Sequence, residues 1–275
     1  MTRHGRLTGL LAGLGALVAL VIMLFPLYAV VVASFESNYQ LLGTSYNFLP
    51  PKLSFANYSA VISQQGGHIV STLVIGVCTA ILTLVVALPA AHALARYRFR
   101  VTAAAVGGLL IAQILPSVVI ANSLFLIYHK LGLLNTYPGL IVADASYNVP
   151  FAILVLRAFM LGLPTDVLQA ARVDGATEWK LFLRVVLPMS RSAIITVAVF
   201  AFLQGWGDFI FALTLLSGST FEPITLSIYS YIGEFQSNLG DAMALCIVGI
   251  LPAAVLLVVA QRYIAAGLTV GSVKG

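Results

Sequence analysis

Charge is scarce along this sequence. Asp, Glu, Lys and Arg together make up 8% of its 275 residues, about a third of the share in an average soluble domain. Cysteine is scarcer: Cys78 and Cys246 lie within apolar runs, so they form no thiol cluster and read as small packing residues. The four histidines, His4, His68, His92 and His129, are scattered, which excludes the ligand cluster a metal site needs. Catalytic signatures are missing as well. There is no G-x-x-x-x-G-K-[ST] loop, no H-E-x-x-H and no G-x-S-x-G. Gly267 to Lys274 is glycine-rich but has neither the phosphate-loop spacing nor a preceding strand. No cofactor or metal is therefore expected on this chain, and no enzyme activity.

Apolar sequence takes the place of charge. Hydrophobic residues make up 60% of the chain and the mean hydropathy is +1.03. A spanning helix needs about 20 apolar residues. Six runs qualify, at roughly 9–34, 69–94, 102–128, 139–161, 192–216 and 240–261. Each is apolar all round, as lipid contact and tight packing require. The expected fold is all-α, a polytopic membrane protein with six transmembrane helices and no soluble domain. The apolar run after Arg3 and Arg6 extends from Leu7 to Phe35, too long for the core of a signal peptide, so it reads as an uncleaved anchor.

Lys and Arg set the orientation. One group of segments holds Arg3, Arg6, Arg96, Arg98, Arg100, Arg172, Lys180, Arg184, Arg191, Arg262 and Lys274, with Arg157 nearby. The opposite group holds only Lys52 and Lys130. Both termini and residues 164–191 are expected in the cytoplasm. The net charge of +5 is then accounted for by short inner loops beside anionic lipid, without nucleic acid.

Residues 164–191, PTDVLQAARVDGATEWKLFLRVVLPMSR, form a water-facing island between apolar runs. Trp179, Phe182, Leu183, Val186 and Leu187 repeat as the stripe of an amphipathic helix. Val167, Leu168, Ala170 and Ala171 form a shorter apolar patch before it. Gly175 lies between the two, where a turn needs positive φ, and Pro188 limits the second helix. A short helix, a glycine turn and a second helix projecting from a membrane are features a partner grips.

Gln169-Ala170-Ala171, Asp174-Gly175-Ala176 and Leu187-Pro188 resemble the EAA loop of ABC-importer permeases. Gln261-Arg262-Tyr263, Gly267-Leu268-Thr269 and Gly271 to Gly275 resemble the tail of the second permease of maltose-type carbohydrate importers. Leu131 to Thr136, Pro138-Gly139-Leu140 and Pro150-Phe151-Ala152 match the same group. One departure stands out: the family's glutamate is Gln169 here, which reduces any ion pair to a neutral hydrogen bond. The resemblance implies a type I importer permease in the bacterial inner membrane, forming half of a carbohydrate path. It implies four kinds of association: a second permease, two ATPase subunits, an external solute-binding protein and membrane lipid. ATP and Mg would be used by the ATPases. It further implies that Leu168, Gln169, Ala170, Ala171, Asp174, Gly175, Ala176, Leu187 and Pro188 couple to an ATPase. The tail, 262–275, would touch the ATPase through Gly267, Leu268, Thr269, Gly271 and Lys274.

Other candidates come from the residues themselves. Asp208, within Gly205-Trp206-Gly207-Asp208, lies deep in the fifth run, where an ionisable group is costly and faces a cavity or a partner helix. Asp208, Trp206 and Asn122 are candidate path residues. Asp144 lies nearer the outer face. The amides Gln113, Asn122, Asn148 and Gln204 either bind sugar hydroxyls or join helices, and joining is the commoner use. Pro26, Pro89, Pro116, Pro150 and Pro252 kink helices or are simply common in membrane spans. The outer segment 36–68 is expected to pack as irregular structure or short helices. The outer segment 217–239 mixes aromatic and polar side chains, which suit contact with sugar or protein or an interfacial aromatic belt; the resemblance implies that it meets the binding protein, with Glu222, Tyr229, Tyr231 and Glu234 as candidate contacts. An alternative reading is an ion-coupled secondary transporter using Asp208 and Asp144. Against it stand six spans, no broken helices in matched halves, and the docking-type loop.

Overall fold

The computed structural model describes residues 3–41, 48–49, 52–97, 101–219, 221–234 and 238–269. Helices account for nearly all of them: α1 (Arg3–Ser34), α2 (Asn38–Leu41), α3 (Ala56–Arg96), α4 (Thr102–Ala112), α5 (Ser117–Leu131), α6 (Tyr137–Leu161), α7 (Thr165–Val173) and α8 (Glu178–Leu181). A π turn at Phe182–Val186 leads to α9 (Leu187–Met189), α10 (Arg191–Trp206), α11 (Ile210–Leu215), α12 (Ile224–Glu234) and α13 (Leu239–Thr269). Backbone polar groups have no water to bond in a bilayer, so apolar runs satisfy them within helices.

Four helices are long and apolar enough to span a membrane: α1, α3, α6 and α13. Counting each bent pair as one span brings the total among the described residues to six. The sequence reading differs from the structure in three places. The third expected span is not one rod: α4 and α5 meet at 98°, because the chain leaves the helix at Gln113 and Pro116 has no N–H to continue it. The fifth stops at Trp206, with Gly207 as its C-cap, and resumes as α11. α3 begins at Ala56, well before the apolar run expected from 69. The outer segment expected at 217–239, for which no secondary structure was expected, contains α12.

The contacts divide the chain into two units, Met1–Gly66 with Ser227–Leu251 and Gly67–Leu226 with Pro252–Gly275. In the first, Asn57 Nδ2 donates to the carbonyls of Ser34 and Glu36, each at 2.9 Å, and Ser34 Oγ pairs with Tyr58 OH at 2.7 Å. Tyr231 OH bonds Gln64 and Gln65, and Ser227 Oγ donates to Gln65 Oε1 at 2.7 Å.

The second unit holds two apolar cores. One joins Ala87 and Ala91 of α3, Ile153, Leu156 and Met160 of α6, and Val197 of α10 to Leu168, Leu181, Phe182 and Val186 of the island. The other joins Ala121 and Tyr128 of α5, Leu140 and Ala143 of α6, and Phe211 and Leu215 of α11. Small residues let α3 and α10 approach closely. A Cβ on Gly205 would lie 3.0 Å from Thr79 Cβ and 3.2 Å from Gly76 Cα.

The α5–α6 turn explains its own sequence. Gly132 caps α5 at φ 68° and Asn135 turns the chain at φ 58°, a conformation asparagine tolerates. Thr136 Oγ1 accepts from Gly139 N at 3.1 Å to start α6. Gly139 has no substitute, because a Cβ there would fall onto the Leu133 carbonyl. Asn135 N donates to Leu215 O, and Ser217 N donates to Asn135 Oδ1 at 2.6 Å, tying the turn to the end of α11.

Candidate functional site

The island folds as a helix, a glycine turn and a second helix. α7 ends in a Schellman arrangement: Gly175 N donates to Arg172 O and Ala176 N to Ala171 O, each at 3.0 Å, with Gly175 at φ 81°. Thr177 Oγ1 then accepts from Lys180 N to open α8. Across the turn, Arg172 grips Glu178 with two hydrogen bonds, Nε–Oε1 at 2.9 Å and Nη2–Oε2 at 3.3 Å. Tyr97 OH donates to Glu178 Oε2 at 3.2 Å. The Arg172 guanidinium holds the Glu178 carboxyl below the usual carboxylate range. Behind the turn, Arg96 Nη2 donates to Met160 O and Arg157 Nε to Leu94 O. Each arginine thus satisfies a carbonyl near the C-terminus of the other's helix, which binds the ends of α3 and α6 together.

Which face of α7 is free differs from the sequence reading. Leu168, expected to meet an ATPase, is only 3% exposed and belongs to this chain's own core, and Ala171 packs against the same core. Leu187 also packs inward. The reason is geometric: a nine-residue helix lying on a bundle must bury one side, and the apolar patch has two sides. The outward side carries Val167, Gln169, Ala170 and Val173, and Val173 is 87% exposed. Asp174 is exposed at the helix end and Pro188 at the far end of the island. The second helix keeps part of its expected stripe: Phe182 and Val186 are buried and Leu187 packs inward, whereas Trp179 is 64% and Leu183 42% exposed, and Leu181, outside the stripe, is fully buried. The π turn accounts for this, since it brings residues five apart onto one face.

The candidate path residues separate. Asp208 accepts hydrogen bonds from Phe211 N at 3.1 Å and Ala212 N at 2.9 Å, so its carboxylate caps α11. Trp206 is buried against Phe202, with ring centroids 5.6 Å apart. Asn122 is exposed on α5. Asp144 is buried, with Oδ2 unbonded among the described residues. A cavity of about 280 Å³ lies elsewhere in the second unit, lined by Gln113, Tyr147, Asn148, Phe151, Phe200 and Gln204. Among the described residues, none of the four amides makes a side-chain hydrogen bond to another helix: Asn148 Nδ2 donates to Asp144 O within its own helix, at 3.0 Å.

On the expected outer side, Glu222 Oε2 lies 4.0 Å from His68 Nδ1. Tyr229 is 54% exposed, whereas Tyr231 is 9% exposed and bonded to Gln64 and Gln65, so it faces inward. Glu234 closes α12, with its side chain outside the described part of the chain. In the tail, Gly267, Leu268 and Thr269 continue α13, while Gly271 and Lys274 lie outside the described residues.

Residues 83–270 match the family of binding-protein-dependent transport system inner membrane components. The chain belongs to this family. It is similar to the trehalose transport system permease protein SugB of Mycobacterium tuberculosis, 31% identical over 82% of this chain and 84% of that protein. It is likewise similar to the sulfoquinovosyl glycerol transport system permease protein SmoH of Agrobacterium fabrum, 29% identical over 95% and 93%. Its fold superposes on a bacterial ABC transporter involved in the import of alginate with a TM-score of 0.79 and 20% identity, covering 96% of this chain and 98% of that one. The fold is that of the type I ABC importer permeases. As an ABC importer permease the chain is a membrane-embedded transport subunit, with ATP hydrolysis in separate subunits.

Sequence reasoning missed three features of this permease: the outward Val173, the cross-bracing Arg96 and Arg157, and the cavity amides as a group. Val173 was legible as the next step of the α7 face after Val167 and Ala170. The cavity was not, because Gln113, Asn148 and Gln204 sit on three different helical segments.

Proposed function

We propose that the chain is one of two different permease subunits of a carbohydrate importer, and that the outward face of α7 docks into an ATPase subunit. The observation that carries this reading is the support behind α7. Leu168 anchors it in the core of α3, α6 and α10, and the Arg172–Glu178–Tyr97 contacts lock its glycine turn. A lever held at its back transmits force; a floppy one does not. Movement of docked ATPases would tilt α7 and, through Leu168, Leu181 and Val186, the spans packed on it. The cavity would then alternate between the two sides of the membrane.

The coupling residues in this reading are Gln169, Ala170, Asp174, Gly175 and Ala176 from the loop, with Val167 and Val173 added and Leu168 and Ala171 as internal supports. The tail from Gly267 adds a second ATPase contact. Glu222 and Tyr229 remain the candidate binding-protein contacts. A carbohydrate cargo is supported by the relatives, whose names specify trehalose and sulfoquinovosyl glycerol. Both termini lie in the cytoplasm of a bacterial inner membrane, as the arginines at the α3, α6 and α7 ends favour. The chain itself holds no nucleotide; ATP and Mg belong to the ATPases.

The test is to purify the tagged chain from its native membrane and identify what accompanies it. An ATPase, a second permease and a binding protein are expected. Recovery of a transport-competent homo-oligomer alone would refute the importer assembly and favour ion coupling.

A further inference from the structure

The cavity in the second unit combines amide donors and acceptors with aromatic faces. Gln113 and Gln204 make no hydrogen bond through their side chains among the described residues, and both are exposed. Asn148 is 6% exposed; its Nδ2 donates to Asp144 O, and among the described residues its Oδ1 accepts no hydrogen bond. Amides left unpaired against acyl chains are costly, so this face meets water, solute or a polar partner. The backbone agrees. Gln113 sits where α4 and α5 break at 98°, and non-helical backbone at membrane depth is tolerated only inside protein or beside a wet cavity. Phe151 and Phe200 meet edge to face, centroids 5.8 Å apart, with Tyr147 beside them.

We propose that this cavity is a subsite for one uncharged glycosyl unit of the cargo, an inference that rests on the carbohydrate-importer reading. Amide groups give and accept hydrogen bonds with vicinal hydroxyls, and aromatic rings cover the apolar C–H face of a sugar. All six lining side chains are neutral, so nothing there offsets a carboxylate or sulfonate. A volume of about 280 Å³ is at the bottom of the range for small-molecule pockets and suits one ring. Gln113 and Gln204 contact the hydroxyls, Asn148 Oδ1 accepts from one, and Tyr147, Phe151 and Phe200 provide the stacking surface.

The experiment uses the complete importer in proteoliposomes with radiolabelled trehalose, maltose, cellobiose and dimannuronate. Uptake of none of these refutes the carbohydrate reading and the subsite with it. Uptake of dimannuronate alone overturns the neutral subsite but leaves the importer reading standing. Uptake of a neutral sugar is expected, and Gln113→Leu and Gln204→Leu are then compared with the parent. Each should lower sugar uptake per ATP hydrolysed about fivefold, the loss expected for one neutral hydrogen bond. Binding-protein-stimulated ATP hydrolysis should persist, and Gln204→Asn should recover part of the loss. Unchanged uptake in both leucine variants overturns the subsite. So does loss of ATP hydrolysis in step with uptake, which would mark Gln113 and Gln204 as contacts with the second permease.

Discussion

Gly175 offers the sharpest test of how the loop works. Its φ of 81° costs an L-residue about 1–2 kcal/mol, while a Cβ there would meet nothing within 4 Å. The penalty of Gly175→Ala is therefore one of backbone conformation. If the whole of it falls on the docked geometry, affinity for the ATPase subunit drops by about five- to thirtyfold. Gly175→Asn should cost less, because asparagine tolerates the left-handed region. Gly175→Pro is a different perturbation. It fixes φ near −65° and removes the N–H that donates to Arg172 O, so the Schellman turn cannot form. The expected order of transport is Gly, Asn, Ala, then Pro with none, while the amount of protein in the membrane stays constant. The assay pairs sugar uptake with ATPase binding to the solubilised permease. Normal uptake by Gly175→Pro would refute the docking-loop reading. Equal damage from Asn, Ala and Pro would refute the conformational argument.

Three further outcomes are expected. Gln169→Glu restores the residue of the resembled motif on an exposed face of α7 and should retain or strengthen coupling, read as sugar transported per ATP; uncoupling would show that the loop is aligned wrongly. Gly205→Val forces α3 and α10 apart at Thr79 and Gly76 and should lower the stability of the solubilised protein by about 1–3 kcal/mol, read by thermal unfolding; an unchanged midpoint would deny the close approach. Asp208→Asn keeps one of the two oxygens that accept from the Phe211 and Ala212 amides and turns the other into a donor facing an N–H, so it should lower the stability of the solubilised protein by about 1 kcal/mol while the pH profile of transport is unchanged; a shifted profile would instead favour ion coupling.

The spans and the island were legible because each depends on local composition: a long apolar run can only be satisfied as helix in lipid, and a cluster of charges must leave it. Where helices break was not legible. Pro116 and Gly207 were visible in the sequence, yet a proline in a membrane helix gives a kink or a stop depending on what packs around it. Pro26, Pro89, Pro150 and Pro252 all lie inside continuous helices. The same limit applied to α7. Leu168 and Val173 are both apolar, and only the presence of Leu156, Met160 and Leu181 behind the helix decides which of them is hidden. Asp208 was read by depth alone, and its partners proved to be backbone amides three and four residues ahead. The amides of the cavity lie far apart in the chain and line one space only once α4, α6 and α10 meet.

The π turn at Phe182–Val186 sets the phase between two parts of the molecule. In a regular α-helix, residues five apart point about 140° apart, yet Leu181 and Val186 are buried in one core. Removing one residue from this turn would let the helix close regularly, but would rotate everything before it by about 100° relative to α10. Leu181 would leave its socket, and α7 would turn a different side outward. Which side of α7 faces outward is therefore written in the length of the segment as well as its side chains. Single-residue deletions between Leu181 and Pro188 should be more damaging than most substitutions there.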